Sequence, residues 1–252
     1  MIAKLACCAL LAGCVNAAVD GARLPKHDDA GVDANVRDAP IAVDAPPDAD
    51  LCRTHRVVYL NFGGDTLQQA ATSDATVDEA SWLGMSSGQE SGTVAMWRPN
   101  QDDRTELMKD VVEAVETTFA TVAPAMTFVT TRPATGPYVM IGFGGSMDDV
   151  GVPYSTAVAK LDCSDTVKSD VGWVFENVAS TTAAANYAAG AIGFGLGATG
   201  TTNPNDCMCG WLTDCTASAS PCTFSSTANA QIACAGETDP QDDVAILQGF
   251  CD

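Results

Sequence analysis

Cysteine is the residue that most restricts how this chain can fold. The chain has 11 cysteines in 252 residues, which is too many for an ordinary cytosolic protein, because thiols there are kept reduced. Three of them lie within the first fourteen residues. The other eight are an even number, so disulfides formed in an oxidising compartment are expected among Cys52, Cys163, Cys207, Cys209, Cys215, Cys222, Cys234 and Cys251. Their pairing cannot be read from the sequence.

The first thirteen residues are typical of an export signal. Lys4 precedes an apolar run that is too short to cross a bilayer. The residues Leu11-Ala12-Gly13-Cys14 are similar to the lipobox of bacterial lipoproteins. This resemblance implies cleavage before Cys14, attachment of a diacylglycerol to its sulfur, and a membrane anchor. The alternative is an ordinary signal peptide with a chance cysteine. Because Val15 rather than Asp follows Cys14, we expect the protein to be anchored in the outer membrane, on either its periplasmic or its surface face.

Residues 14–51 have the composition of a disordered linker. They repeat Asp-Ala units and contain four prolines and no Phe, Tyr or Trp. Such a segment cannot bury enough apolar surface to offset the entropy lost on ordering. We expect an extended acidic tether. The net charge of −20 makes a nucleic-acid partner unfavourable, because the phosphate backbone is also negative.

Residues 52–252 are predicted to form one α+β domain. Strands are expected over residues 56–62, 126–131, 138–143, 157–161 and 171–175. A helix is expected to start at Asp102 or Asp103, with Glu106 completing a capping box, and a second helix over 180–195. Residues 65–100 are expected to be irregular or to form short strands. Residues 206–252 are predicted to be a disulfide-rich C-terminal part.

The stretch from Ser180 to Met208 carries a family resemblance. It fits the zinc-protease pattern H-E-x-x-H-x-x-G-x-x-H with a following Met-turn in one register, with Gly195 as the glycine and Met208 in the turn. In this register the ligand and general-base positions hold Ala188, Ala189, Ile192 and Ala198. Together with the order of strands and helices, residues 52–215 resemble a metzincin domain that has lost its catalytic residues.

The resemblance implies a fold, a site and a function. The fold is a mixed five-stranded sheet with two main helices, in which Gly195 ends the second helix in a left-handed conformation and Met208 packs beneath the vacant site. Alkyl side chains have no lone pair for zinc, so no metal or other cofactor is expected. The implied protein is a pseudo-protease with a binding or structural role at the cell envelope, and its remaining cleft is expected to hold an extended peptide or protein ligand.

Other groups of residues suggest alternative functional sites. Cys207, Cys209, Cys215 and Cys222 have the number of ligands of a zinc cluster, although export favours disulfides. Residues 84–88 match G-x-S-x-G, but no histidine follows them. Two acidic groups, at 148–149 and at 162, 165 and 170, are candidate calcium ligands that lack regular spacing. The rival functions are a hydrolase with non-standard ligands and a purely structural disulfide-rich module.

Overall fold

The computed structural model describes residues 56–153, 155–211, 215–226, 234 and 241–249. These residues form a mixed α+β fold. In chain order its elements are β1 (Val57–Asn61), β2 (Asp65–Gln69), β3 (Glu79–Ala80), β4 (Ser91–Val94), α1 (Arg104–Phe119), β5 (Thr127–Val129), β6 (Val139–Phe143), β7 (Ala157–Val158), β8 (Val171–Val174), α2 (Thr181–Gly195) and α3 (Asp243–Gly249). A short 3-10 helix, Met147–Val150, precedes β7.

The main sheet contains the five predicted strands, each shorter than predicted. Its order is β5-β1-β6-β8-β7. The first four strands are parallel, and β7 pairs antiparallel with β8 at the edge. Parallel neighbours need a crossover connection, and α1 provides it between β1 and β5. The prediction of a mixed five-stranded sheet is therefore confirmed.

Both faces of this sheet are covered. Along β1, Val58 and Leu60 belong to the core that includes α1 and α2, whereas Tyr59 belongs to a second core on the opposite face. Successive side chains of a strand point to opposite faces. Strands buried on both sides are therefore apolar without a break, as in the Val-Met-Ile-Gly-Phe run of β6, which is buried throughout.

Gly142 interrupts this apolar run for a packing reason. A Cβ at this position would overlap the indole ring of Trp173. Trp173 lies opposite Gly142 on the neighbouring strand β8, and its side chain is fully buried. The glycine on β6 thus makes room for the largest side chain of β8.

The segment at 65–100 forms a third layer. Its strands β2, β3 and β4 pair into a small sheet of order β3-β2-β4. Leu67, Trp82 and Val94 are at most 2% exposed and belong to the second core, and the Trp82 indole N–H donates to the Val171 carbonyl at 2.7 Å. Of the two expectations for this segment, short strands are therefore the correct one.

Helix α1 has the predicted apolar face but not the predicted cap. Val111, Val115 and Phe119 are buried at four-residue spacing. Asp103 is the N-cap residue, yet its side chain makes no capping hydrogen bond, so the prediction of a capping box with Glu106 is wrong. The guanidinium of Arg104 instead holds this helix end, donating to the carbonyl oxygens of Trp97 and Phe62 at 2.7 Å each.

Among the described residues, three disulfides are present, all in the C-terminal half. They join Cys163 to Cys234, Cys207 to Cys222 and Cys209 to Cys215. This confirms oxidation for six of the eight domain cysteines. Cys52 and Cys251 lie outside the described residues, as do Cys14 and the whole predicted linker. Within the described ranges, no helix is both long and apolar enough to cross a membrane.

We expect Gly142→Ala to lower the free energy of unfolding by about 1–3 kcal/mol, the usual cost of overpacking a core, because the added methyl overlaps Trp173. Urea unfolding followed by tryptophan fluorescence measures the change. Gly63→Ala is the matched control, since a Cβ there meets its nearest atom, the Asn61 side-chain oxygen, only at 3.4 Å. Equal stability of both variants would contradict the packing role of Gly142.

Candidate functional site

The four positions that the metzincin pattern assigns to catalysis are closed to solvent. Ala188, Ala189 and Ala198 are 0% exposed and Ile192 is 1% exposed. Ala188 and Ile192 are four residues apart on α2 and therefore lie on the same side of the helix. The side chains at these positions supply only methyl and sec-butyl groups. They offer neither a metal ligand nor a group that could take a proton from water.

The burial of α2 follows from its small residues. From Ala184 to Gly195 every residue except Tyr187 is buried. A Cβ at Gly193 would lie 2.9 Å from the Met208 sulfur, and one at Gly190 would overlap the Trp211 indole. Glycines therefore let the segment around Met208 approach the helix backbone. Met208 itself is 0% exposed.

The left-handed residue that terminates helix α2 is a different glycine from the expected one. Gly195 is the last helical residue, and the left-handed residue is Gly197, with φ of +94°. The Gly197 N–H donates to Phe194 O at 3.2 Å and the Ala198 N–H donates to Gly193 O at 2.9 Å, which is the Schellman pattern. The prediction of a left-handed Gly195 is wrong. A Cβ at Gly195 would instead lie 2.9 Å from a carboxyl oxygen of Asp170.

The turn around Met208 is held by its own backbone and by two disulfides. The carboxylate Oδ1 of Asp206 accepts the Met208 N–H at 2.8 Å. The Met208 carbonyl accepts the N–H groups of Thr201 and Trp211 at 3.2 Å each. The Cys207–Cys222 and Cys209–Cys215 disulfides begin on either side of Met208. These bonds position the Met208 side chain against Gly193 of α2.

Two amide side chains, which the sequence analysis did not single out, hold the C-terminal segments on α2. Asn186 donates to Ser220 O and accepts from Cys222 N, both at 3.0 Å. The Gln241 amide accepts the Thr199 N–H at 2.9 Å and donates to the Thr199 carbonyl at 3.1 Å. Thr199 directly follows the last vacated position. No sequence pattern identifies Asn186 and Gln241, because each forms hydrogen bonds to backbone groups that are far away along the chain.

The structure also decides between several alternatives. Cys207, Cys209, Cys215 and Cys222 are paired in disulfides, so the zinc-cluster alternative is wrong. In the G-x-S-x-G segment, the Ser86 hydroxyl donates to Gly151 O at 2.8 Å and lies in a turn, rather than between a strand and a helix. Asp149 accepts the Ser146 N–H at 2.7 Å, which is a helix-capping role. Among the residues described, no group of three His, Cys, Asp or Glu side chains has the geometry of a metal site.

The remaining acidic group lies beside the end of α2. Asp165 is 1% exposed and pairs with Arg56 and Lys168, while Asp162 accepts the Val167 N–H at 2.6 Å. Asp170 is 7% exposed. Burial, followed by the charges of Asp162 and Asp165, raises the pKa of Asp170 to about 8. Asp170 is thus a neutral acid at pH 7 beside the C-terminal end of α2, where a negative charge is unfavourable.

An open groove lies elsewhere on the surface. It has a volume of about 480 Å³ and lies between α1 and residues 221–224. Asp110 and Glu113 line it together with apolar residues such as Val122 and Phe224. None of the four positions Ala188, Ala189, Ile192 and Ala198 lines this groove.

The chain matches no protein-family model and no curated protein. The site therefore has to be interpreted from its own geometry.

We expect Asp170→Asn to flatten part of the pH dependence of stability. The folded pKa of Asp170 is raised to about 8 from 3.8, so the folded state holds a proton that the unfolded chain releases above pH 4. Stability should therefore fall between pH 4 and pH 8, by at most about 1.4 kcal/mol per pH unit for this carboxyl. Urea unfolding across this range measures the difference from the wild type. Asp148→Asn, which removes an exposed carboxyl, is the matched control. A pH profile that is the same in Asp170→Asn as in the wild type would contradict the assignment.

Proposed function

We propose that this chain is an exported lipoprotein whose domain is a catalytically inactive relative of metzincin proteases, with a binding or structural role at the cell envelope. One observation carries the proposal: the four positions of the catalytic pattern are alkyl side chains that are at most 1% exposed. Family catalysis needs three imidazoles to hold zinc and a carboxylate to take a proton from its bound water. Neither part of that chemistry is available at Ala188, Ala189, Ile192 and Ala198.

The arrangement of elements supports the family assignment in this proposal. The chain order of β1, α1, β5, β6, β7, β8 and α2 is the order that the resemblance implies for the N-terminal part of such a domain. In addition, Met208 lies against α2 at Gly193, on the helix that would carry the first two ligands. Retained packing with absent ligands is the pattern expected of a pseudo-enzyme.

The edge of the main sheet is the place where we propose that an extended peptide binds. Strand β7 is the last strand of the order β5-β1-β6-β8-β7, so one of its sides has no strand partner within the described residues. An extended peptide can add to such an edge through backbone hydrogen bonds. The vacated positions themselves are closed, and a ligand would therefore lie along β7 and not against α2.

The two rival functions predict different measurements. A hydrolase with non-standard ligands would contain bound metal or cleave peptides. A purely structural module would do neither, and it would also fail to enrich any sequence from a library of extended peptides. The pseudo-protease should enrich such peptides without cleaving them.

We expect the purified protein to contain no stoichiometric zinc and to leave a broad peptide library intact. Elemental analysis and mass spectrometry of the digest measure these properties, with an active zinc protease as the positive control for the library. Stoichiometric zinc together with chelator-sensitive cleavage would overturn the proposal. It would place the ligands among the acidic residues.

We expect Cys14→Ser to abolish lipid labelling and to release the protein from the membrane fraction, because the thiol of Cys14 is the proposed attachment point. Metabolic labelling with a fatty acid and membrane partitioning measure the two effects. Cys8→Ser, which changes a cysteine within the proposed signal, is the matched control and should keep both properties. Unchanged membrane partitioning of Cys14→Ser would exclude this anchor.

A further inference from the structure

Two aspartates face each other in the interior, next to the Met208 turn. Asp206 is 1% exposed and Asp243, the first residue of α3, is 0% exposed. Their carboxyl groups lie close enough for each to act on the charge of the other. Backbone pairing brings them together, because residues 223–225 lie between them: Asp206 forms a bridge with Thr223, and the Asp243 N–H donates to Ser225 O at 3.0 Å.

The surroundings of the pair are hydrogen-bond donors. Asp206 accepts the N–H of Met208 at 2.8 Å and a backbone N–H from Ser225. The Oδ1 atom of Asp243 accepts from the Gln241 amide. The Oδ2 atom of each aspartate is buried and has no hydrogen-bond partner among the described residues. Two carboxyl oxygens can form a hydrogen bond only when a proton lies between them.

A bound proton fits this site better than a cation. The Gln241 amide presents its N–H to Asp243 and its oxygen to Thr199, so it is oriented as a donor towards the acid. Two Oδ2 atoms alone are far fewer than the six to eight oxygens that calcium takes. Among the described residues, the charged group that acts most strongly on Asp243 besides Asp206 is Asp242, and it is also negative.

We propose that one proton bound between Asp206 and Asp243 acts as a latch that holds the C-terminal helix α3 against the Met208 turn. Asp206 carries the negative charge, since two backbone N–H groups stabilise it, and Asp243 carries the proton. Through Gln241 the same latch continues to Thr199, which directly follows Ala198. The inference stands on these contacts and does not depend on the proposed function.

Loss of the proton is expected to open the latch. Burial and the charge of Asp206 raise the pKa of Asp243 to about 8, and burial also raises the pKa of Asp206. Above pH 8 two carboxylates would face each other without a cation, which is costly in an interior. We expect α3 and Gln241 to separate from the turn, while the Cys163–Cys234 disulfide keeps the chain attached.

The test uses the purified protein and two readouts. Carbon-13 NMR of the aspartate carboxyls reports the proton, and limited proteolysis after residue 240 reports the opening of α3. In the wild type we expect a carboxyl of this pair to titrate near pH 8. The cleavage rate should rise by up to about tenfold per pH unit above that value, after correction for protease activity.

Replacing either aspartate of the pair by asparagine should keep the latch closed at every pH. In Asp243→Asn the new amide can donate to Asp206 while its oxygen still accepts from Gln241, so no proton is needed. The same holds for Asp206→Asn with the roles exchanged. Each single variant should lose both the titration and the pH-dependent cleavage, whereas the double variant places two amide N–H groups face to face and should be cleaved rapidly at every pH. Asp242→Asn, which removes a neighbouring charge outside the pair, is the matched control and should keep the pH-dependent cleavage.

Three outcomes would overturn the inference. The first is a wild type in which neither carboxyl titrates between pH 6.5 and 9.5, a result that needs no variant to fold. The second is a titration near pH 8 without any change in cleavage, which would leave a buried proton but no latch. The third is stoichiometric binding of calcium that abolishes the titration, which would make the pair a cation site.

Discussion

The fold depends on the close packing of α2 between three neighbours. The main sheet, α1 and the Met208 turn all contact this helix, and alanine and glycine allow their close approach. Most globular helices show one apolar stripe, but a helix enclosed on all sides is apolar around its whole circumference. The enclosure explains why the positions assigned to catalysis are inaccessible. A histidine or glutamate there would need both space and a polar partner, and the packing supplies neither.

Several contacts far apart along the chain hold the C-terminal segments near α2. Asn186 on α2 bonds to backbone groups of Ser220 and Cys222, and Gln241 bonds to the backbone of Thr199 after the helix. Two disulfides stiffen the segment that carries Met208. Each of these hydrogen bonds contributes only about 1 kcal/mol net to the stability of the fold, so the segments are held by the contacts acting together. The cost of breaking one such contact depends on whether the others hold.

The sequence predicted those parts of the fold that depend on local patterns. Apolar runs identified β1 and β6, and the spacing of Val111, Val115 and Phe119 identified α1. The start of α1 at Asp103 was predicted correctly, but its cap was misjudged because Arg104 bonds to carbonyls of other segments, which no local rule describes. The left-handed residue after α2 was assigned to Gly195, whereas it is Gly197. Gly195 has a different reason to be glycine, because a Cβ there would lie 2.9 Å from a carboxyl oxygen of the distant Asp170. The Asp206–Asp243 contact was invisible for the same reason, since the two residues meet only after β-bridge formation near Thr223.

The three disulfides of the described residues are nested one inside another, which constrains the order in which they can form. Cys209–Cys215 lies within Cys207–Cys222, and both lie within Cys163–Cys234, with sequence separations of 6, 15 and 71 residues. Closing a loop costs entropy that grows with the logarithm of its length, so the short inner bridges can form before α2 has packed. Each inner closure then shortens the path that the outer bridge must close. No chain end has to pass through a closed ring, and oxidation can proceed from the inside outwards without reshuffling.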